Sequence, residues 1–174
     1  MQKATTLFVT TILLVFISII SVKAQLPKSL VYGNFTIANP QDSDFTKAYN
    51  TGYGGEIGAG IGIGKTMLIG SAGYIKYQAT EANTTLGDLQ VIPIKVGLRR
   101  YLVGKLFING QIGGAFESYS KSSATGTKFL YEVGAGVKII HLIELGVAYT
   151  GYPSAAGSTN YNSLLFKVGF SVKL

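Results

Sequence analysis

Cysteine and tryptophan are absent from this chain, histidine occurs once, and charged residues make up only 13% of it. Without cysteine there is no disulfide framework, no thiolate metal centre and no lipid-modified N-terminal cysteine. One histidine gives a metal site or a nucleophile–base pair little to build on. Long apolar runs are also missing: beyond the N-terminal region no segment reaches the ~18 apolar residues that mark a spanning helix. The formal charge of +7 is ordinary for one domain of this size, so basicity alone argues for no nucleic-acid partner.

The N-terminus carries Lys3, an uncharged apolar run from Leu7 to Val22, and then Val22-Lys23-Ala24 before Gln25. A charged start, an apolar core and a small-residue exit are the parts of a secretory signal peptide. The expected organisation is a cleaved signal peptide at 1–24 and one domain at 25–174. Cleavage removes Lys3 and Lys23 and no acid, which lowers the formal charge from +7 to about +5.

What remains is 47% hydrophobic in the whole-chain count and rich in glycine, with 23. Such a chain is too apolar to be solvated on every face. A bilayer accepts only helices and closed barrels, because an unpaired backbone group costs several kcal/mol in hydrocarbon. With no helix candidate, strands of about ten residues with alternating polarity become the test. From Phe129 to Ile139 one parity reads Phe129, Tyr131, Val133, Ala135, Val137 and Ile139, and the other Leu130, Glu132, Gly134, Gly136 and Lys138. The last strand sets Leu164, Phe166, Val168, Phe170, Val172 and Leu174 against Ser163, Lys167, Gly169, Ser171 and Lys173, with Leu165 as the exception. Segments 106–119 and 142–152 follow the same rule.

Strand 30–38 sets Val31, Phe35 and Ile37 against Tyr32, Asn34 and Thr36. Strand 51–63 sets Tyr53, Ile57, Ala59, Ile61 and Ile63 against Glu56 and glycines. Strand 66–79 is ambiguous in parity. Strand 89–102 turns Ile92, Ile94, Val96 and Leu98 outward and Lys95, Gly97 and Arg99 inward, and Pro93 predicts a bulge or local irregularity. Links near 64–65, 103–105 and 140–141 are short, whereas 39–50, 80–88, 120–127 and 153–161 are longer and polar. The expected fold is all-β: an eight-stranded antiparallel up-and-down transmembrane β-barrel, with short periplasmic turns and longer external loops. Tyr77, Tyr119, Phe129, Tyr131, Tyr149, Tyr152 and Tyr161 are placed as an outer aromatic girdle, and Tyr101 and Phe107 as an inner one.

The C-terminal octet Lys167-Val168-Gly169-Phe170-Ser171-Val172-Lys173-Leu174 resembles the terminal signal that the barrel-assembly machinery recognises, with Lys167, Gly169, Val172 and Leu174 at the matching places. Over residues 25–174 the sequence resembles small outer-membrane barrels of the OmpA/OmpX type, and the stretch from Ile92-Pro93-Ile94 to Arg99-Arg100-Tyr101 is similar to a strand common in Bacteroidetes-type barrels. The resemblance implies a bacterial outer-membrane location, outer-membrane lipid and the assembly machinery as partners, and a monomer. It implies little about activity, because this fold serves many roles.

Candidate chemistry is thin. Ala59-Gly60-Ile61-Gly62-Ile63-Gly64-Lys65-Thr66 fits a relaxed phosphate-loop pattern, but no helix follows it, so it reads as a tight hairpin. His141 and Glu144 are spaced as a pair, yet no serine stands beside them to be activated. Asp42, Asp44 and Tyr49 in the longest loop read as solvated rather than as a cation site. No catalytic, cofactor-binding or metal-ligating residue is assigned. The inward charges carry more weight: Glu56, Lys95, Glu132 and Lys167 lie at similar heights on strands two, four, six and eight, with alternating sign. Side chains just fill an eight-stranded barrel, and buried charges must be paired. The expectation is a salt-bridged plug extended by Arg99, Glu117 and Lys138, in a non-enzymatic structural or surface-interaction barrel. The alternatives are a narrow ion pore or lipid-modifying enzyme, and a soluble lipocalin-like binder with its polarity inverted.

Overall fold

A computed structural model of the chain describes residues 27–81, 83, 86–140, 142–153 and 160–174. The expected signal peptide at 1–24 and His141 lie outside the described residues. Eight antiparallel strands close on themselves in sequence order: β1 (Lys28–Pro40), β2 (Tyr49–Ile63), β3 (Thr66–Ala79), β4 (Leu89–Tyr101), β5 (Leu106–Tyr119), β6 (Ser122–Lys138), β7 (Ile143–Pro153) and β8 (Asn160–Lys173). Closure is completed by β1 against β8, from Leu30 opposite Lys173 to Pro40 opposite Ser163. Every strand therefore has two partners, the condition hydrocarbon imposes on a spanning backbone.

Alternation sends the apolar parity outward, as expected. Ile57, Ile61, Val133, Phe129, Val168 and Phe170 are all more than half exposed, while Glu56, Lys95 and Glu132 are buried. That polarity is the reverse of a soluble binder and overturns the lipocalin-like alternative. In β3 the parity that was ambiguous resolves with Met67, Ile69, Ser71, Ile75 and Tyr77 inside and Leu68 and Tyr74 outside. Both faces of this strand are apolar because its inner residues pack on other lumen side chains.

Pro93 sits on the inner face without a bulge. The β3–β4 pairing is interrupted opposite it, but Ala72–Ile94 and Ile75–Val91 keep one register. Its ring lies where a side chain on Gly73 would be, 3.2 Å from an added Cβ. The missing donor is thus absorbed by a local gap rather than an extra residue.

Two loop expectations are corrected. The 120–127 segment is strand apart from a turn at Ser120–Lys121, so β5 and β6 form a tight hairpin. With 17 residues, β6 is longer than the ~9–11 a bilayer requires. Among the described residues β7 accompanies it only from Tyr131 to Lys138, so the outer half of β6 is unpaired on that side while β5 stays paired with β4 to Tyr119. The 39–50 loop instead contains a short helix, α1 (Ser43–Ala48). The Gly64–Lys65 link is the tight turn expected, with Gly64 at φ 65°, a conformation that favours glycine.

Candidate functional site

Lumen side chains are stacked in three layers. At the outer end Phe45 of α1 is fully buried, with ring centroids 4.6 Å from Tyr161, 5.1 Å from Tyr77 and 5.7 Å from Tyr49. A register shift between Tyr49 and Gly52 flips the parity of β2 at this end and turns Tyr49 inward. Tyr77 and Tyr152 are also buried, and Tyr119 and Tyr161 pack against them. The expected outer girdle therefore shrinks to Phe129, Tyr131 and Tyr149, because parity rather than height decides which face a tyrosine occupies. Tyr101 and Phe107 likewise point inward instead of forming an inner girdle.

The middle layer is the charge ring. Lys95 Nζ lies 2.6 Å from Glu56 Oε2 and 2.5 Å from Glu132 Oε2, and Lys167 Nζ lies 3.3 Å from Glu56 Oε2 and 2.5 Å from Glu132 Oε1. Each ammonium meets both carboxylates and each carboxylate both ammoniums, a closed square with no net charge. The four residues come from alternate strands, so shear brings them to one level. The expectation that these four form a salt-bridged plug is met in full.

Beneath the ring, Arg99 Nη1 donates to Glu144 Oε2 at 3.0 Å, and the Ser171 hydroxyl donates to the other Glu144 oxygen. The Arg99 guanidinium also lies over the rings of Phe107 and Tyr32, at 4.3 and 4.7 Å. Along the chain Glu144 stands as a neighbour of His141, but its inward parity in β7 is the signal for this second pair. Lys138 joins through neutral groups, donating to Ser171 O at 2.9 Å and Oγ at 3.1 Å.

Glu117 does not extend the ring. It belongs to the outer aromatic layer, is 3% exposed, and has Tyr119, Tyr152 and Lys128 as its neighbours, none of them in good hydrogen-bonding geometry. The hydroxyls of Tyr49 and Tyr152 are buried and unpartnered in the same layer. Cavities of about 40 and 20 Å³ flank the ring, room for about three waters and about one or two at ~10–15 Å³ apiece.

Outside the lumen, the loops are tied together. Asp42 accepts from the Asn162 backbone N–H at 2.6 Å and from its side-chain amide at 3.2 Å, which binds the loop carrying α1 to β8. Thr80 N–H donates to Ala48 O at 3.0 Å, and Ser120 N–H donates to Asp88 O at 3.0 Å. Asp44 lies 3.6 Å from Lys47 on the solvent side. The loop acids thus hold the cap together or face solvent, and they do not converge.

A family model described as outer membrane protein beta-barrel domain matches residues 10–173. Among solved structures, Ail of Yersinia pestis in a phospholipid bilayer nanodisc is similar with a TM-score of 0.58 at 12% identity, covering 83% of this chain and 99% of that one. OprG of Pseudomonas aeruginosa gives 0.53 at 14% identity, over 84% and 95%. Neisserial surface protein A gives 0.50 at 15% identity, over 84% and 96%. Likeness at such identities is a likeness of fold. No curated protein matches the chain.

Proposed function

Because the chain belongs to the outer membrane protein β-barrel domain family and resides in the bacterial outer membrane, we propose that it works there as a non-conducting, non-enzymatic scaffold that presents its external cap to the surroundings. One observation carries this reading: the lumen is occupied from end to end, by the aromatic layer under Phe45, the closed ring of Glu56, Lys95, Glu132 and Lys167, and the Arg99–Glu144 pair. An ion crossing this lumen would have to displace buried, mutually neutralised charges in a low-dielectric interior, a large barrier.

The surface that remains for recognition is the cross-linked cap: α1, the 80–88 loop and the tip of the β5–β6 hairpin. Loops on a rigid scaffold are where such folds place their interactions. The apolar exterior suits a monomer solvated by outer-membrane lipid. Recognition by the assembly machinery through Lys167, Gly169, Val172 and Leu174 is part of the same proposal. Of these, Lys167 lies in the ring and Val172 and Leu174 face outward, so that signal would be read before the barrel closes.

Single-channel recording of the refolded barrel in a planar bilayer tests the scaffold reading. The expected record is silence or rare brief openings. A steady conductance abolished by Lys95→Met would overturn it in favour of a pore.

A further inference from the structure

The periplasmic mouth differs in character from the plugged interior above it. A cavity of about 510 Å³ opens there, with Lys105, Lys138 and Lys173 on its polar side and Ile140, Leu142 and Val172 on its apolar side. All three lysines are held by neutral groups. Lys105 Nζ donates to Ile139 O at 2.8 Å, Lys138 Nζ to Ser171 O at 2.9 Å, and Lys173 Nζ stands 3.3 Å from the centroid of the Tyr101 ring. The one acid beside them, Glu144, is engaged by Arg99 and Ser171. Among the described residues no carboxylate comes within 4.0 Å of any of the three ammonium groups. Three converging cations without a counter-ion, on a wall half of which is hydrocarbon, have the chemistry of a site for an amphiphilic anion.

The turns at this end add to the pattern. Val103, Ile140 and Leu142 are 82%, 56% and 53% exposed, in positions where turn chemistry favours polar residues. On the outer wall an apolar groove of about 580 Å³ starts at the turn between β4 and β5, with Leu102, Leu106 and Ile108 on one side and Val137, Leu145 and Phe166 on the other.

We propose that this mouth binds one anionic glycerophospholipid of the periplasmic leaflet. The phosphodiester sits among Lys105, Lys138 and Lys173, and the acyl chains pass over Ile140 and Leu142 to the outer groove. A soluble polyanion would satisfy the lysines but leave the apolar side uncovered, which is why a lipid is the occupant.

The test uses the full refolded barrel in neutral detergent, titrated with dioleoyl phosphatidylglycerol or dioleoyl phosphatidylcholine, with bound lipid counted by native mass spectrometry. One phosphatidylglycerol is expected to be retained in preference to phosphatidylcholine. Lys105→Gln/Lys173→Gln should weaken it roughly thirtyfold, the effect of two surface charges near an anionic lipid. Both lysines are outside the ring, and heat-modifiable gel migration checks that the variant is folded. Ile140→Ser/Leu142→Ser provides a second arm, in which dioleoyl phosphatidylglycerol should bind more weakly while the dihexanoyl form is unaffected. Equal retention of the two headgroups, undiminished binding by the lysine variant, or displacement by millimolar inorganic phosphate would each overturn the proposal, the last by showing a site for free anions.

Discussion

Removing Glu132 is the sharpest test of the charge ring. Its carboxylate is 1% exposed and meets Lys95 and Lys167, each at 2.5 Å. In Glu132→Ala the ring passes from neutral to one net positive charge, with both ammoniums sharing Glu56, at 2.6 Å from Lys95 and 3.3 Å from Lys167. Breaking a buried pair from one side costs about 3–5 kcal/mol, because a charge is left in low dielectric without compensation. That corresponds to roughly two to four powers of ten in the unfolding equilibrium constant. The assay is urea unfolding in lipid vesicles, followed by far-ultraviolet circular dichroism and by migration of unboiled samples, since the chain has no tryptophan to report. The midpoint should fall without a change in m, as m reports exposed area. Adding Lys167→Met should recover much of the loss, by removing the orphaned cation and leaving Lys95 with Glu56. A shift in the single variant below about 0.5 kcal/mol, or a double variant no better than the single, would refute the pairing, since contacting residues couple by more than that.

Other expectations follow from the neighbouring layers. Glu117→Gln should raise the unfolding free energy by about 1–3 kcal/mol, because it removes a buried carboxylate whose desolvation outweighs what Lys128, Tyr119 and Tyr152 return to it; a lowered urea midpoint would show that those neighbours win. Gly58 lies beneath the Tyr32 ring, which a methyl at that position would overlap. Gly58→Ala should therefore destabilise by about 1–3 kcal/mol, and Tyr32→Ser should relieve the clash in the double variant. In the loop after β3, the Ala79 N–H and the Lys76 ammonium hold the Asp88 carboxyl below the usual carboxylate range. The folded value is depressed, so its contribution is present above the unfolded value and lost as pH falls through the folded one. Hydrogen exchange at the Ala79 amide should then show less protection at acid pH than at neutral, and Asp88→Asn should remove that dependence.

Much of the fold was legible because a membrane barrel imposes a period-two rule with lipid on one side. Strands of one clean parity, such as 129–139 and 163–174, declared their outward faces without any tertiary knowledge. That the inward charges are paired was legible for the same reason, since an interior too narrow to hydrate them demands partners; which of them touch was not, because shear sets their heights. Strand β3 was not legible, because Met67, Ile69, Ile75 and Tyr77 face a locally apolar lumen and blur the alternation. Height was not legible either. Arg99 meets Glu144 and not the ring, and Glu117 stands beside Lys128 in the outer layer, because shear displaces strands that the sequence presents side by side.

Phe45 shows the same division. A single large apolar residue in a polar loop was visible, but its partners Tyr77 and Tyr161 are far away in the chain, and the register shift that turns Tyr49 toward it is a property of the closed sheet. Along the cleanly alternating strands the sequence by itself determined which residues face lipid and which face the lumen, since side-chain direction in a strand is a local matter; in β3 and at Tyr49 the closed sheet decided it. Only the closed barrel decided which lumen residues touch, that the 39–50 loop folds inward as a stopper, and that three lysines converge at the periplasmic mouth, since each depends on register across strands and not on order along one.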